Sequence, residues 1–170
     1  MAKKHDIGIT ILEYDDKYIE ALKELLVELQ ETLVKVDHSR TLIMNSDYRD
    51  KYYELVLKTT KENKGIIYLA KKDENVVGMI AGYIVPVDAE DKLINRCPIR
   101  GRISELIVTK NARGYGIGKQ LIEKIEAFFK DNDCEFSRLI VLESNKRAKQ
   151  LYDDMGYKPI ELELSKNISK

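Results

Sequence analysis

The stretch Arg113-Gly114-Tyr115-Gly116-Ile117-Gly118-Lys119 constrains this chain more than any other. The apolar run Leu106-Ile107-Val108 lies just upstream. A helical stripe of Ile117, Leu121, Ile122, Ile125, Phe128 and Phe129 starts inside the turn itself. The local order is therefore strand, tight glycine turn, helix. Glycines remove Cβ atoms where a ligand must approach the backbone. The turn exposes successive backbone N–H groups at a helix N-terminus, where the dipole also favours negative charge. Such a cradle suits an anion, a pyrophosphate above all.

Two familiar phosphate loops do not fit. A Walker A loop needs glycine where Arg113 stands and Ser or Thr where Gln120 stands. A dinucleotide fingerprint needs glycine at the position of Lys119. What remains is Arg-x-x-Gly-x-Gly, from Arg113 through Gly116 to Gly118.

The rest of the chain supplies a frame for this turn. Ile7, Ile9 and Ile11 alternate and predict a first strand. Asp15 or Asp16 can cap a helix whose stripe is Tyr18, Leu22, Leu25, Leu26, Leu29 and Leu33. Residues 36–46 connect it to a second helix, 48 to about 61, with Tyr52, Leu55, Val56 and Thr59 on one side. Asn63-Lys64-Gly65 stops that helix. Residues 66–70 and 76–85 predict an antiparallel hairpin around Asp73-Glu74-Asn75. Residues 86–98 form a polar loop long enough to cover a site. A strand over 102–109 leads into the glycine turn, and Asp131-Asn132-Asp133 ends the helix that follows. A strand over 136–142, a helix from Asn145 to about Asp154 closed by Gly156, and a last strand over 157–164 complete the reading. The pattern predicts a mixed α/β (α+β) sheet with helices on both faces. No linker or repeat divides residues 1–170, so a single domain is expected.

Composition narrows the class. Twenty-nine basic and 29 acidic residues cancel, which argues against nucleic acid as the main partner. Cys97 and Cys134 match no metal spacing and point to reduced thiols. His5 and His38 make no ligand set, so no metal is expected. The polar start of the chain leads into no long apolar run. A soluble cytoplasmic protein without membrane contact is the expectation.

On these residues the sequence resembles the GCN5-related N-acetyltransferase (GNAT) superfamily. The family's acetyl-CoA loop reads Gln or Arg, two residues, Gly, one residue, then Gly or Ala, and Arg113 to Gly118 fit it. A second signature follows: Asn145-x-x-Ala148-x-x-Leu151-Tyr152-x-x-x-Gly156-Tyr157. The resemblance implies one GNAT-like domain: a mixed, mostly antiparallel central sheet, helices on both faces, and splayed central strands. It implies an acyltransferase that moves an acetyl group from acetyl-CoA to a primary amine by direct attack in a ternary complex.

The resemblance also assigns roles. Gly114, Tyr115, Gly116, Ile117, Gly118 and Lys119 would give backbone N–H groups to the pyrophosphate. Arg113 either adds a charged contact or packs on the turn, and Lys119 either contacts the cofactor or is solvated. Leu106, Ile107 and Val108 would hydrogen-bond the pantetheine arm as an unpaired strand edge, against the alternative of a fully paired core strand. The N–H of Val108 or its neighbour would serve as the oxyanion donor. Glu105 is the candidate general base, directly or through water; the other reading is a surface-facing strand glutamate. Tyr152 resembles the family's general acid, held near the sulfur by the last helix, and can also be a packing residue. Asn145 orients the cofactor, caps its helix, or does both. Lys146 and Arg147 either meet the 3′-phosphate or are solvated.

The acceptor is left open. It would be bound by residues 29–53 and 86–100, where Glu31, Asp37 and Asp47 could favour a cation. A small-molecule amine is the first reading. A peptide amine and a non-catalytic acyl-CoA sensor are the alternatives, and a homodimer is a family expectation.

Overall fold

A computed structural model describes residues 8–87, 89–94, 96 and 98–168. His5, Ile7 and Cys97 lie outside the described residues. The sheet has five strands in the order β1-β2-β3-β4-β5: β1 Ile9–Glu13, β2 Ile66–Lys72, β3 Asn75–Ile84, β4 Arg100–Val108 and β5 Phe136–Arg138. The first four pair antiparallel, and β4 pairs β5 in parallel. Helices α1 (Ile19–Val36) and α2 (Tyr48–Glu62) join β1 to β2. A four-residue helix α3 (Asp91–Ile94) sits in the long loop before β4. Helix α4 (Ile117–Asp131) crosses over from β4 to β5, and α5 (Lys146–Asp154) follows β5.

Apolar spacing decides which face each helix covers. The α1 stripe puts Leu22, Leu25, Leu26 and Leu29 against Leu69, Met79, Ala81 and Ile107 of the sheet, with Tyr53 and Val56 of α2 beside them. The α4 stripe puts Leu121, Ile122, Ile125 and Phe129 on the opposite face, against Ala70, Ile80 and Ile103. Each of these aliphatic side chains removed from water contributes roughly 1.5–3 kcal/mol. Gly101 lets α4 come close: a Cβ there would lie 2.3 Å from the Phe129 ring.

The helix ends follow local chemistry. Asp15 accepts the Lys17 N–H and caps a short 3-10 turn, Asp16–Tyr18, ahead of α1. Helix α2 stops at Asn63-Lys64-Gly65, as expected. Lys64, not Gly65, takes the left-handed conformation (φ 50°). Gly65 is needed instead for close approach, since a Cβ would meet the Gly82 carbonyl oxygen at 2.3 Å. Helix α5 closes with paired bonds, Tyr157 N–H to the Tyr152 carbonyl and Gly156 N–H to the Asp153 carbonyl.

Two expected strands are corrected. The strand expected over 136–142 stops at Arg138. The last strand, expected over 157–164, does not form. Its alternation is present, but Ile160, Leu162 and Leu164 are 67, 77 and 83% exposed. Alternation makes a strand only where a neighbour pairs its backbone, and this segment has none in the sheet. Pro159 also lacks the N–H that a ladder needs.

Candidate active site

Three features converge on β4. The first is its free side. Only Arg100, Gly101 and Arg102 pair with β5. From Ile103 to Val108 no described strand lies on that side, so Leu106, Ile107 and Val108 run along an open edge rather than in a fully paired core strand.

The second is a bulge. Gly82 stands opposite Ile103 and Ala81 opposite Glu105, which leaves Ser104 as an extra residue. Ile103 faces α4. Without the bulge Glu105 would face α4 as well, because side chains alternate along a strand. With it, Glu105 turns to the face of Ala81 and Ile107, beneath α2. There the Tyr52 hydroxyl donates to Glu105 Oε1 at 2.7 Å. The Tyr48 and Tyr52 rings stack with centroids 4.7 Å apart. Burial pushes the Glu105 carboxyl up to about 7, and the Tyr52 hydrogen bond pulls the other way. The surface-facing reading of Glu105 is thereby corrected.

The third is α5. It carries Tyr152 into contact with the α4-side core and edge-on to Tyr157, ring centroids 5.8 Å apart. The Tyr157 hydroxyl donates to Glu126 at 2.7 Å and lies 2.7 Å from the Ser137 hydroxyl, which ties α5 to α4 and β5. Burial, and then the charge of Glu105, pushes the Tyr152 phenol up to about 12. Glu105 and Tyr152 thus share one electrostatic environment. A carboxyl near neutrality can accept a proton, and a phenol that stays protonated can donate one.

The glycine turn lies at the end of the open edge. Gly114 and Gly116 adopt φ of 90° and 78°, and nothing lies within 4 Å of where their Cβ atoms would be. Gly116 is the N-cap of α4, no side chain caps that end, and the first turn holds no acid. The N–H groups of residues 116–119 are thus left to an outside acceptor. Gly118 serves a different purpose: its missing side chain admits Leu151 of α5, 3.3 Å from where a Cβ would sit. Tyr115 is 51% exposed, with Lys72 Nζ 5.5 Å from its ring centre.

The charged and polar residues around the turn have the following partners within the protein. Arg113 packs on the turn: its Nε donates to the Val108 carbonyl at 2.8 Å and its Nη2 lies 3.7 Å from Glu28 of α1. Lys119 is exposed and reaches along α4 to Glu123, 3.8 Å away. Asn145 caps α5 by accepting the Ala148 N–H at 3.2 Å. Lys146 donates to Glu143 at 2.6 Å. The acids expected on the acceptor side are engaged. Asp37, 8% exposed, accepts the Ser39, Thr41 and Leu42 N–H groups and shapes the α1–α2 connection. Asp47 pairs with Lys51 at 2.7 Å and Glu31 with Lys35 at 3.8 Å. Among the described residues no group of three or more His, Cys, Asp or Glu could hold a metal ion. No described helix is long and apolar enough to cross a membrane.

Sequence reading missed Tyr48 and Tyr52. The helical spacing that placed Tyr52 on an apolar side is a signal of burial, and the polar contact behind it depends on the Ser104 bulge.

The sequence profile of the acetyltransferase (GNAT) family matches residues 22–157. The chain belongs to that family of acetyl-transferring acyltransferases. It is similar to the thialysine N-epsilon-acetyltransferase of Bos taurus, 39% identical over 54 residues, which is 32% of each chain. The match thus spans about a third of the length of that curated relative. A GNAT-family acetyltransferase from Staphylococcus aureus Mu50 shares the fold, with a TM-score of 0.68 and 22% identity over 95% of this chain and 92% of that one. So does the aminoglycoside N-acetyltransferase AAC(6')-Iy in complex with CoA, with a TM-score of 0.69 and 15% identity over 94% and 93% of the two chains.

Proposed function

We propose that residues 1–170 work as one N-acetyltransferase domain that moves an acetyl group from acetyl-CoA to a primary amine of a small molecule by direct attack. The observation that carries this reading is the buried Glu105 on β4, a strand whose open edge leads into the uncapped start of α4. The names of the thialysine and aminoglycoside relatives support a small amine as acceptor.

Acetyl-CoA supplies the activated acetyl group as a thioester. The N–H groups from Gly114 to Lys119 hold its pyrophosphate, and the 106–108 edge holds its amide-bearing arm. Glu105 takes a proton at its carboxylate from the acceptor's ammonium, leaving the amine nitrogen with a free electron pair. That pair forms the new N–C bond as the C–S bond breaks. Tyr152 gives its phenol proton to the departing sulfur and recovers one as the new amide nitrogen sheds its extra proton. Glu105 then releases the first proton to solvent, which closes the balance. Each proton transfer of this kind is worth roughly 10²–10⁴ in rate.

A thiol-release assay with acetyl-CoA across polyamines, aminoglycosides, amino acids and peptides tests the reading. Turnover with a small amine and none with peptides is expected. Turnover with peptides alone would replace the acceptor class. No turnover on any amine, with CoA binding intact, would favour a sensor.

A further inference from the structure

Among the described residues, the one hydrogen bond to the Glu105 carboxylate comes from α2, which covers the same face of the sheet. Tyr52 Oη lies 2.7 Å from Oε1, while Oε2 accepts no hydrogen bond from the described residues. We propose that Tyr52 is the positioning residue for the reaction, fixing Glu105 by one oxygen so that the other faces the acceptor amine.

The geometry favours a fixed orientation. The Tyr52 ring is held by stacking on Tyr48, with planes 17° apart. The Tyr48 hydroxyl lies 3.5 Å from the Leu26 carbonyl of α1, too far to hold the ring, so the stack itself does the holding. A carboxylate on a strand can rotate about its side-chain bonds; a hydroxyl on a stacked ring removes that freedom at Oε1. The oxygen left over keeps its lone pairs for an incoming proton. Glu105 has few other partners to confuse the effect. Ala81 of β3 stands opposite it, and α1 brings leucines to that face. The titratable groups that sense its charge are Tyr48 and Tyr52 from α2 and Tyr152 from α5.

This rests on Glu105 as the base, and the experiment separates the two. Wild type, Tyr52→Phe, Tyr48→Phe and Glu105→Gln are compared in two measurements. One is the pH profile of kcat/KM with an amine acceptor. The other is a carbon-13 NMR titration of the Glu105 carboxyl in the protein alone. The phenylalanine variants keep the stacked rings and remove one hydroxyl each. Glu105→Gln is expected to erase the acid limb of the profile. Tyr52→Phe is expected to move that limb, and the NMR titration, upward by about one pH unit, because a hydrogen bond to the charged form is lost. Its kcat should fall about tenfold with KM little changed, and Tyr48→Phe should move neither titration. An unmoved titration and limb in Tyr52→Phe, with the limb lost in Glu105→Gln, overturns the role of Tyr52 and leaves the base intact. A limb that survives Glu105→Gln overturns the base and the positioning role together.

Discussion

Glu28 of α1 lies 3.7 Å from the Arg113 guanidinium and also accepts the Lys110 N–H at 3.0 Å. The arginine of the loop motif is thus engaged by the helix and by the Val108 carbonyl. Arg113→Ala should weaken CoA binding modestly, by about 1 kcal/mol, through a looser turn. A lost phosphate contact would also flatten the dependence of CoA affinity on salt. Calorimetry from low to high ionic strength should give the variant the wild-type slope; a flatter slope would restore Arg113 as a cofactor contact.

Gly116→Val places a branched side chain at φ 78°. The backbone cost is roughly 1–2 kcal/mol, and the side chain would occupy the space over the turn. Loss of CoA binding in a variant that still melts cooperatively is the expected result by calorimetry and circular dichroism. Wild-type affinity would remove the turn from the cofactor site.

Tyr152→Phe keeps the ring against Tyr157 and removes the donor. Its kcat should drop roughly 10²-fold while the dissociation constant for acetyl-CoA holds. With the phenol up at about 12, the group stays protonated through the working range. The fractional loss should therefore be equal at pH 6 and pH 8.

Glu105 carries a stability signature of opposite sign to a salt-bridged acid. Its carboxyl is raised in the folded chain to about 7 from an ordinary value of 4.5. Between those values the folded state binds more protons than the unfolded one. Stability therefore falls as pH rises through that window and levels off above about 7. Glu105→Gln, which cannot ionise, should match wild type near pH 4 and exceed it by up to roughly 3 kcal/mol at pH 8. Denaturant unfolding at the two pH values measures the gap.

Gly101→Ala tests the packing that seats β4. A Cβ would lie 2.3 Å from the Phe129 ring, with the ring and backbone both confined. A loss of roughly 1–3 kcal/mol is expected from overpacking. Phe129→Leu in the same chain should recover part of it in chemical denaturation; no recovery would place the strain elsewhere.

Much of this was legible in the sequence because it rests on local periods. The α1 and α4 stripes, the hairpin around Asp73 and the left-handed Gly156 each follow from a few neighbouring residues. The open edge of β4 was expected from the family resemblance and appears where β5 stops at Arg138. The partners of polar side chains were not legible, because they come from other elements. Arg113 meets Glu28 across 85 positions of chain, and Tyr52 meets Glu105 across 53. Asp37 reads in the sequence only as an acid that could favour a cation, and the structure adds that it pins its own loop. The last strand failed for a similar reason: alternation over 157–164 says which residues share a side, and nothing about who lies beside them.

Ser104 sets the phase of β4. Upstream of it the odd-numbered Ile103 belongs to the α4 core, and downstream the odd-numbered Glu105 and Ile107 belong to the other face. One strand therefore serves two tenants, and a single residue marks the change of lease. Substitutions at Ser104 keep the count and should be borne lightly. Deleting it leaves Glu105 directly after Ile103, opposite Ala81, so plain alternation still turns Glu105 and the 106–108 edge the same way; only the local bend is lost. A residue that is extra to the ladder is one whose removal the faces on either side of it should survive.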